Sequence, residues 1–364
     1  MKNLLFGFLI LLTACKKNMD IPIQNSIPVY VSVKDFGAKG DGISNDDSAF
    51  IKTMDAAHQN RLKLYIPFGK YNVSLKLKYD SLEIYGDGKP NISNNQLDSG
   101  TVIIGSINCN SKKSITISNL GVQAFGHDGI VGGDGLGMSN LNHTFKNLTL
   151  LGGGYGDYTH GLLCQAGGGV KVSNITVANF FHGLAFRCSN VTCDSVLAIN
   201  CGFTSIVIKS AIGNDITENI TIKNITIKGD PYNAYARGGT ILVQAFDINS
   251  ITRNVLIENV NSENAGVSVI GVEQRINATV DNVIVNNVIA NKPCDSNIRA
   301  AFDINGGSNI KFINCETNYS NGTGYRCSGL TKNVFVLNSK EKGSVVAWEG
   351  PFDYLQLNGI EIIK

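Results

Sequence analysis

The sequence predicts an all-β fold, a single-stranded right-handed parallel β-helix closed at its N-terminal end by a short α-helix. Three observations carry that expectation. Gly is abundant, 40 of 364 residues, and runs of good helix formers are scarce, a mixture that favours short strands and turns. Segments led by Asn recur: "SNITVANF", "SNVTCDSV", "ENITIKNI", "RNVLIENV", "DNVIVNNV", "SNIKFINC" and "KNVFVLNS" begin at residues 173, 189, 218, 253, 281, 308 and 332. A second strand type, "HGLAFR", "SIVIKS" and "GTILVQ", follows each of the first three. Coils of about 20 to 30 residues, each with short strands, are the mark of a solenoid in which every coil buries its apolar face on its neighbours.

The elements follow in chain order. "MKNLLFGFLILLTACKK" has a basic start, an apolar run from Leu4 to Leu12 and small residues before Cys15, the composition of an export leader too short to span a bilayer as a mature helix. Leu12-Thr13-Ala14-Cys15 resembles a bacterial lipobox, which implies cleavage before Cys15, lipid on Cys15, and a chain anchored in the bacterial cell envelope. Residues 1–15 are thus expected to be a signal peptide, 16–29 a polar linker and 30–364 the folded domain.

The next stretch, "VYVSVKDFGAKGDGISNDDSAFIKTMDAA" at 29–57, reads as a strand (Val29, Val31, Val33), a Gly-rich turn and a helix capped near Asn45 or Asp46. Phe50, Met54 and Ala57 give that helix, near 46–58, one apolar face. Gly37, Gly40 and Gly42 fit no phosphate-loop spacing and are expected to shape the turn. "LYIPFGKYNV" and "LEIYGDG" add two strands. This order, over about residues 29–88, closely resembles the N-terminal segment of the pectate-lyase-like superfamily, which includes rhamnogalacturonases and some epimerases. The resemblance implies the parallel β-helix and polysaccharide as the partner; it is specific for fold and says little of the chemistry.

Aligning the second strand type gives two inward columns, Leu162, Leu184, Ile206 and Ile241, then Cys164, Phe186, Ile208 and Val243. Gln165, Arg187, Lys209 and Gln244 then point outward. Arg187 and Lys209 are 22 residues apart (209 − 187), as are Gln165 and Arg187 (187 − 165) and the two imidazoles His160 and His182 (182 − 160). Two cations stacked on adjacent coils repel, and an anionic ligand would offset that repulsion. The arginine fork suits a carboxylate, and a lysine beside another cation becomes a better base. The eight cysteines beyond Cys15 (109, 164, 188, 193, 201, 294, 315 and 327) form no zinc pattern and are expected to be mostly buried and free.

"CGFTSIVIKS" resembles a polygalacturonase stretch in which two aspartates stand where this chain has Phe203 and Thr204. That family's Asn-Thr-Asp-Gly motif falls on Phe180-Phe181-His182-Gly183, and its Gly-His-Gly motif on Gly238-Gly239-Thr240. The carboxylate pair of ordinary glycoside hydrolysis is therefore missing from those positions. β-Elimination from a uronate needs instead a cation for the carboxylate, a base and a proton donor. Lys209 is the preferred base and Arg187 the clamp, with His182, His160, Tyr235 and Arg237 as further catalytic candidates, the last two in the segment "YNAYARGG". The alternatives are a C5-epimerase, a hydrolase with carboxylates elsewhere (Asp128, Asp134, Asp215 or Glu273), and a non-catalytic polysaccharide-binding surface protein. No acidic cluster has a clear metal spacing, which leaves a Ca²⁺ requirement open. A formal charge of +2 gives no electrostatic reason to expect nucleic acid as a partner.

Overall fold

The computed structural model describes residues 29–133, 141–154, 158–210, 213–229, 239–266, 268–293 and 300–363. Strand after strand pairs in parallel with the strand one coil further on, giving one continuous 25-stranded sheet among the described residues. The register confirms both inward columns. Leu162 pairs with Leu184, Leu184 with Ile206 and Ile206 with Ile241, and Cys164, Phe186, Ile208 and Val243 stack likewise. All eight side chains are fully buried. The seven cysteines described are buried and free; Cys294 lies outside the described residues.

Two strand types that the sequence separates are fused in the structure. His160–Ala178 and His182–Ile199 each run unbroken through both, with an irregularity in register between Gln165 and Gly168. The coils turn their corners inside such strands, at residues in left-handed backbone. On one wall these corners recur every five residues: Asn219 and Asn224 (φ 59° and 57°), Asn254 and Asn259 (55° and 56°), Asn282 and Asn287 (53° and 54°). Asn tolerates this conformation better than other residues with a side chain. Its amide also bonds coil to coil: Asn254 Nδ2 donates to Asn219 Oδ1 at 3.2 Å, and Asn282 Nδ2 to Asn254 Oδ1 at 2.9 Å. The repeated Asn is thus a corner residue and a ladder at once.

Helix α1, Asp47–Asn60, closes the N-terminal end with Phe50, Met54 and Ala57 buried against the first coils. Its N-cap is Asp46, whose carboxylate turns away from the helix: Oδ1 accepts from the Lys39 amide at 2.6 Å and Oδ2 from the Gly40 amide at 3.3 Å. Asn45 takes over the capping contact, its Oδ1 accepting the Asp47 N–H at 2.9 Å. At the other end the antiparallel pair Tyr354–Leu357 and Ile360–Ile363 finishes the sheet. Between Lys209 and Gln244 the strand Ile216–Lys228 pairs along its length with Ile251–Glu263.

Candidate functional site

Five of the residues singled out by spacing come together on one wall. His160 pairs with His182, and His182 with Thr204. Gln165 pairs with Arg187, and the pairing of Phe186 with Ile208 puts Arg187 beside Lys209 on the next coil. Each His is followed by Gly because the next coil leaves no room for a side chain. A Cβ on Gly183 would lie 2.4 Å from the Ser205 carbonyl oxygen, and one on Gly161 would lie 2.6 Å from that of Gly183. That close approach brings the imidazoles face to face, with centroids 5.0 Å apart and planes 22° from parallel.

The surroundings give each group a different state. His160 is held at Nδ1 by Asp128 Oδ1, 3.0 Å away, and the same oxygen accepts the His160 N–H at 2.7 Å. Burial works to raise the Asp128 pKa, but these His160 contacts and the Arg187 charge outweigh it and lower it. His182 Nδ1 lies 2.7 Å from the Thr204 hydroxyl. Burial, aided by His160, Arg187 and Lys209, pushes its pKa far below the usual imidazole value and keeps it neutral. Arg187 donates from Nη1 to Gln165 Oε1 at a long 3.4 Å, and its Nε is buried without a partner among the described residues. Burial first, then the neighbouring Arg187, lowers the pKa of Lys209 to about 8, with Glu273 opposing and Arg275 assisting.

Neither cation splays into solvent. Lys209 Nζ sits 3.8 Å from the centre of the Phe246 ring, whose surroundings also include the Arg275 guanidinium at 4.8 Å. Arg275 is anchored by Glu273, Nε to Oε1 at 2.9 Å, and Gln244 Nε2 donates to the other Glu273 oxygen at 2.6 Å. Beside His182 lies an aromatic shelf. Phe181 and Phe203 stack at 5.1 Å, both edge-on to the imidazole, and Tyr158 leans on Phe181 at 4.6 Å. In the sequence Phe181 and Phe203 stand out only as positions where polygalacturonase motif residues are missing, although they keep the same interval of 22 residues (203 − 181). Phe246 and the Asp128 contact carry no such spacing.

Asp128 and Glu273, two of the carboxylates considered for a hydrolase, do not form a catalytic pair with each other. Asp128 precedes the strand Ile130–Gly132 and Glu273 lies five coils further along, a separation of about 24 Å at one strand spacing per coil. Glycosidases hold their two carboxyl groups within about 10 Å. Asp215 is itself engaged, and Asp134, Tyr235, Arg237 and Cys15 lie outside the described residues. Among the described residues no group of three or more His, Cys, Asp or Glu converges as a metal site.

Comparison with known proteins accords with the fold. The family model described as "Rhamnogalacturonase A/epimerase, pectate lyase-like" matches residues 30–204. The fold is a pectate-lyase-like parallel β-helix. Among solved structures, the A-module of the Azotobacter vinelandii mannuronan C-5 epimerase AlgE6 shares this pectate-lyase-like fold at a TM-score of 0.60 and 16% identity, over 91% of this chain and 98% of that one. The enzymatically active domain of tailspike protein 2 from bacteriophage CBA120 shares it at 0.54 and 15%, over 85% of this chain and 47% of the phage chain. No curated protein matches the sequence.

Proposed function

We propose that this pectate-lyase-like protein is a polysaccharide lyase that cleaves a uronate-containing polymer by β-elimination. The observation that carries the reading is the juxtaposition of Arg187, with a buried and unpaired Nε, and Lys209, whose pKa of about 8 leaves part of it neutral near physiological pH. The guanidinium takes the uronate carboxylate and stabilises the charge that grows on it. Lys209 Nζ removes the C5 proton, the electron pair forms the C4=C5 double bond, and the C4–O bond breaks. The ammonium so formed is acidic enough to pass its proton to the departing oxygen, which returns the amine to its starting state. Neutral His182 adds no third positive charge beside the sugar, and the aromatic shelf offers a flat face on which a pyranose can stack.

The mannuronan epimerase module contributes a precedent for uronate chemistry on this scaffold. Epimerisation would begin with the same proton abstraction and end with a proton delivered from the opposite face. A panel of acidic polysaccharides separates the outcomes: unsaturated-uronate absorbance is expected. New reducing ends without that absorbance would make the protein a hydrolase, and deuterium entering C5 from heavy water without scission would make it an epimerase. Binding with none of these would remove the enzyme reading. The proposed setting is the bacterial envelope, with lipid on Cys15; Cys15→Ala should then move the protein from the membrane to the soluble fraction of its host.

A further inference from the structure

A cavity of about 710 Å³ lies well away from Lys209, where helix α1 meets the first coils. Its wall includes Lys76, Lys78 and Lys112, together with Asn108, Asn110 and Asp47. Lys78 is neutralised by Asp55 at 2.9 Å, and Asp47 accepts the Ser74 N–H at 3.2 Å and the Asn45 amide at 3.0 Å. Lys76 and Lys112 make no ion pair among the described residues. Asn110 Oδ1 is a buried acceptor without a donor among the described residues, and Asn108 adds a further amide to the lining.

The cavity belongs to the wall that carries Arg187. Leu75 pairs with Ile107, Ile107 with Ile130, Ile130 with Leu162 and Leu162 with Leu184. Lys76 therefore lies four strand spacings from the coil of Arg187, about 19 Å along the solenoid. In the other direction the same wall turns acidic or self-paired. Glu273 is bound to Arg275, Asp303 to Arg326, and Glu349 pairs in register with Arg326. Among the described residues of this wall beyond Lys209 the named charges are paired with one another, whereas on the helix side Lys76 and Lys112 have no ion pair.

We infer that the Lys76–Lys112 cavity is a distal subsite for the carboxylates and hydroxyls of a polyuronate chain, which extends from Arg187 toward helix α1 and away from Glu273. The inference rests on the uronate reading of the Arg187 site. An oligomer of roughly five units would reach from one to the other, since a pyranose repeat advances by a length comparable to one coil.

The test compares oligogalacturonates and oligomannuronates of graded length on the wild type and on the folded double variant Lys76→Ala/Lys112→Ala. In the wild type KM should fall once the oligomer passes about five units, and the variant should lose that gain, about tenfold, while handling trimers normally. The gain should also fade with added salt. If long and short oligomers behave alike in both proteins, the subsite is refuted and the lyase reading stands. If no uronate is turned over, affinity electrophoresis in polygalacturonate or alginate gels decides. Retardation lost in the double variant supports the subsite although the lyase reading has failed; equal mobility of the two proteins refutes it.

Discussion

Two walls of the same solenoid treat charge in opposite ways. On the asparagine wall, outward residues alternate in sign from coil to coil: Glu218, Arg253 and Asp281 stack in one column, ending on the neutral Ser308, and Asp194, Lys223 and Glu258 in another. The contacts follow, with Arg253 Nε 2.6 Å from Glu218 and the Ser308 hydroxyl 2.6 Å from Asp281. On the site wall the column reads Gln165, Arg187, Lys209, Gln244, Glu273, with two cations as neighbours. At one strand spacing that juxtaposition costs about 1 kcal/mol in water and more where the pair is shielded. On the first wall the charges satisfy one another within the solenoid, and on the second two like charges stand side by side.

The comparison can be broken most sharply at Lys209. Lys209→Ala should lower kcat by at least about 30-fold, roughly 2 kcal/mol of transition-state stabilisation, with KM little changed. Arg187→Ala should raise KM as well. Because the amine must be neutral to act, the wild-type rate should climb as pH rises through about 8. Arg187→Gln removes a neighbouring cation, raises the Lys209 pKa and should move that limb to higher pH. An unchanged limb would separate Lys209 from the chemistry.

The asparagine wall responds in stability. Asn254→Ala places an ordinary side chain in left-handed backbone and deletes two ladder bonds, so the denaturation midpoint should fall by the equivalent of about 1–2 kcal/mol. Asn254→Gly should recover the backbone share alone. Lys209→Met tests the reverse effect on the site wall. The folded protein holds the Lys209 proton less tightly than the unfolded chain, whose lysine titrates near 10.5, so the penalty is full below pH 8 and is relieved as pH rises toward 10.5. The Met variant should therefore be more stable than wild type at pH 7, by no more than about 1 kcal/mol given solvent screening, and lose that advantage in strong alkali. Smallest of all, Glu218→Gln removes a half-exposed ion pair and should shift stability by less than about 0.5 kcal/mol.

What could be read from the sequence follows from what repeats. The inward columns, the stacking of Gln165 on Arg187 and of His160 on His182, and the capping role of Phe50, Met54 and Ala57 all rest on periodic apolar residues. That the repeated Asn can ladder at turns was legible, but that these turns are left-handed corners inside continuous strands was not, because apolar alternation resumes after each Asn and Ile216–Lys228 reads as a strand whether or not it bends at Asn219 and Asn224. Phe246 and the contact of Asp128 with His160 were hidden for a different reason. They lie beside the repeat, and only the folded coils bring Asp128 to His160, 32 residues on in the chain, and Phe246 to Lys209.

The corner asparagines also determine how the molecule ages. Spontaneous deamidation requires the backbone nitrogen of the next residue to attack the Asn side-chain carbonyl, a reaction hindered when that next residue is β-branched. Asn219, Asn224, Asn254, Asn259, Asn282, Asn287, Asn309 and Asn333 are each followed by Ile or Val. The flexible neighbour that speeds the reaction occurs at Asn305-Gly306, Asn321-Gly322 and Asn358-Gly359. Chemical wear should therefore start at these three sites and leave the ladders intact.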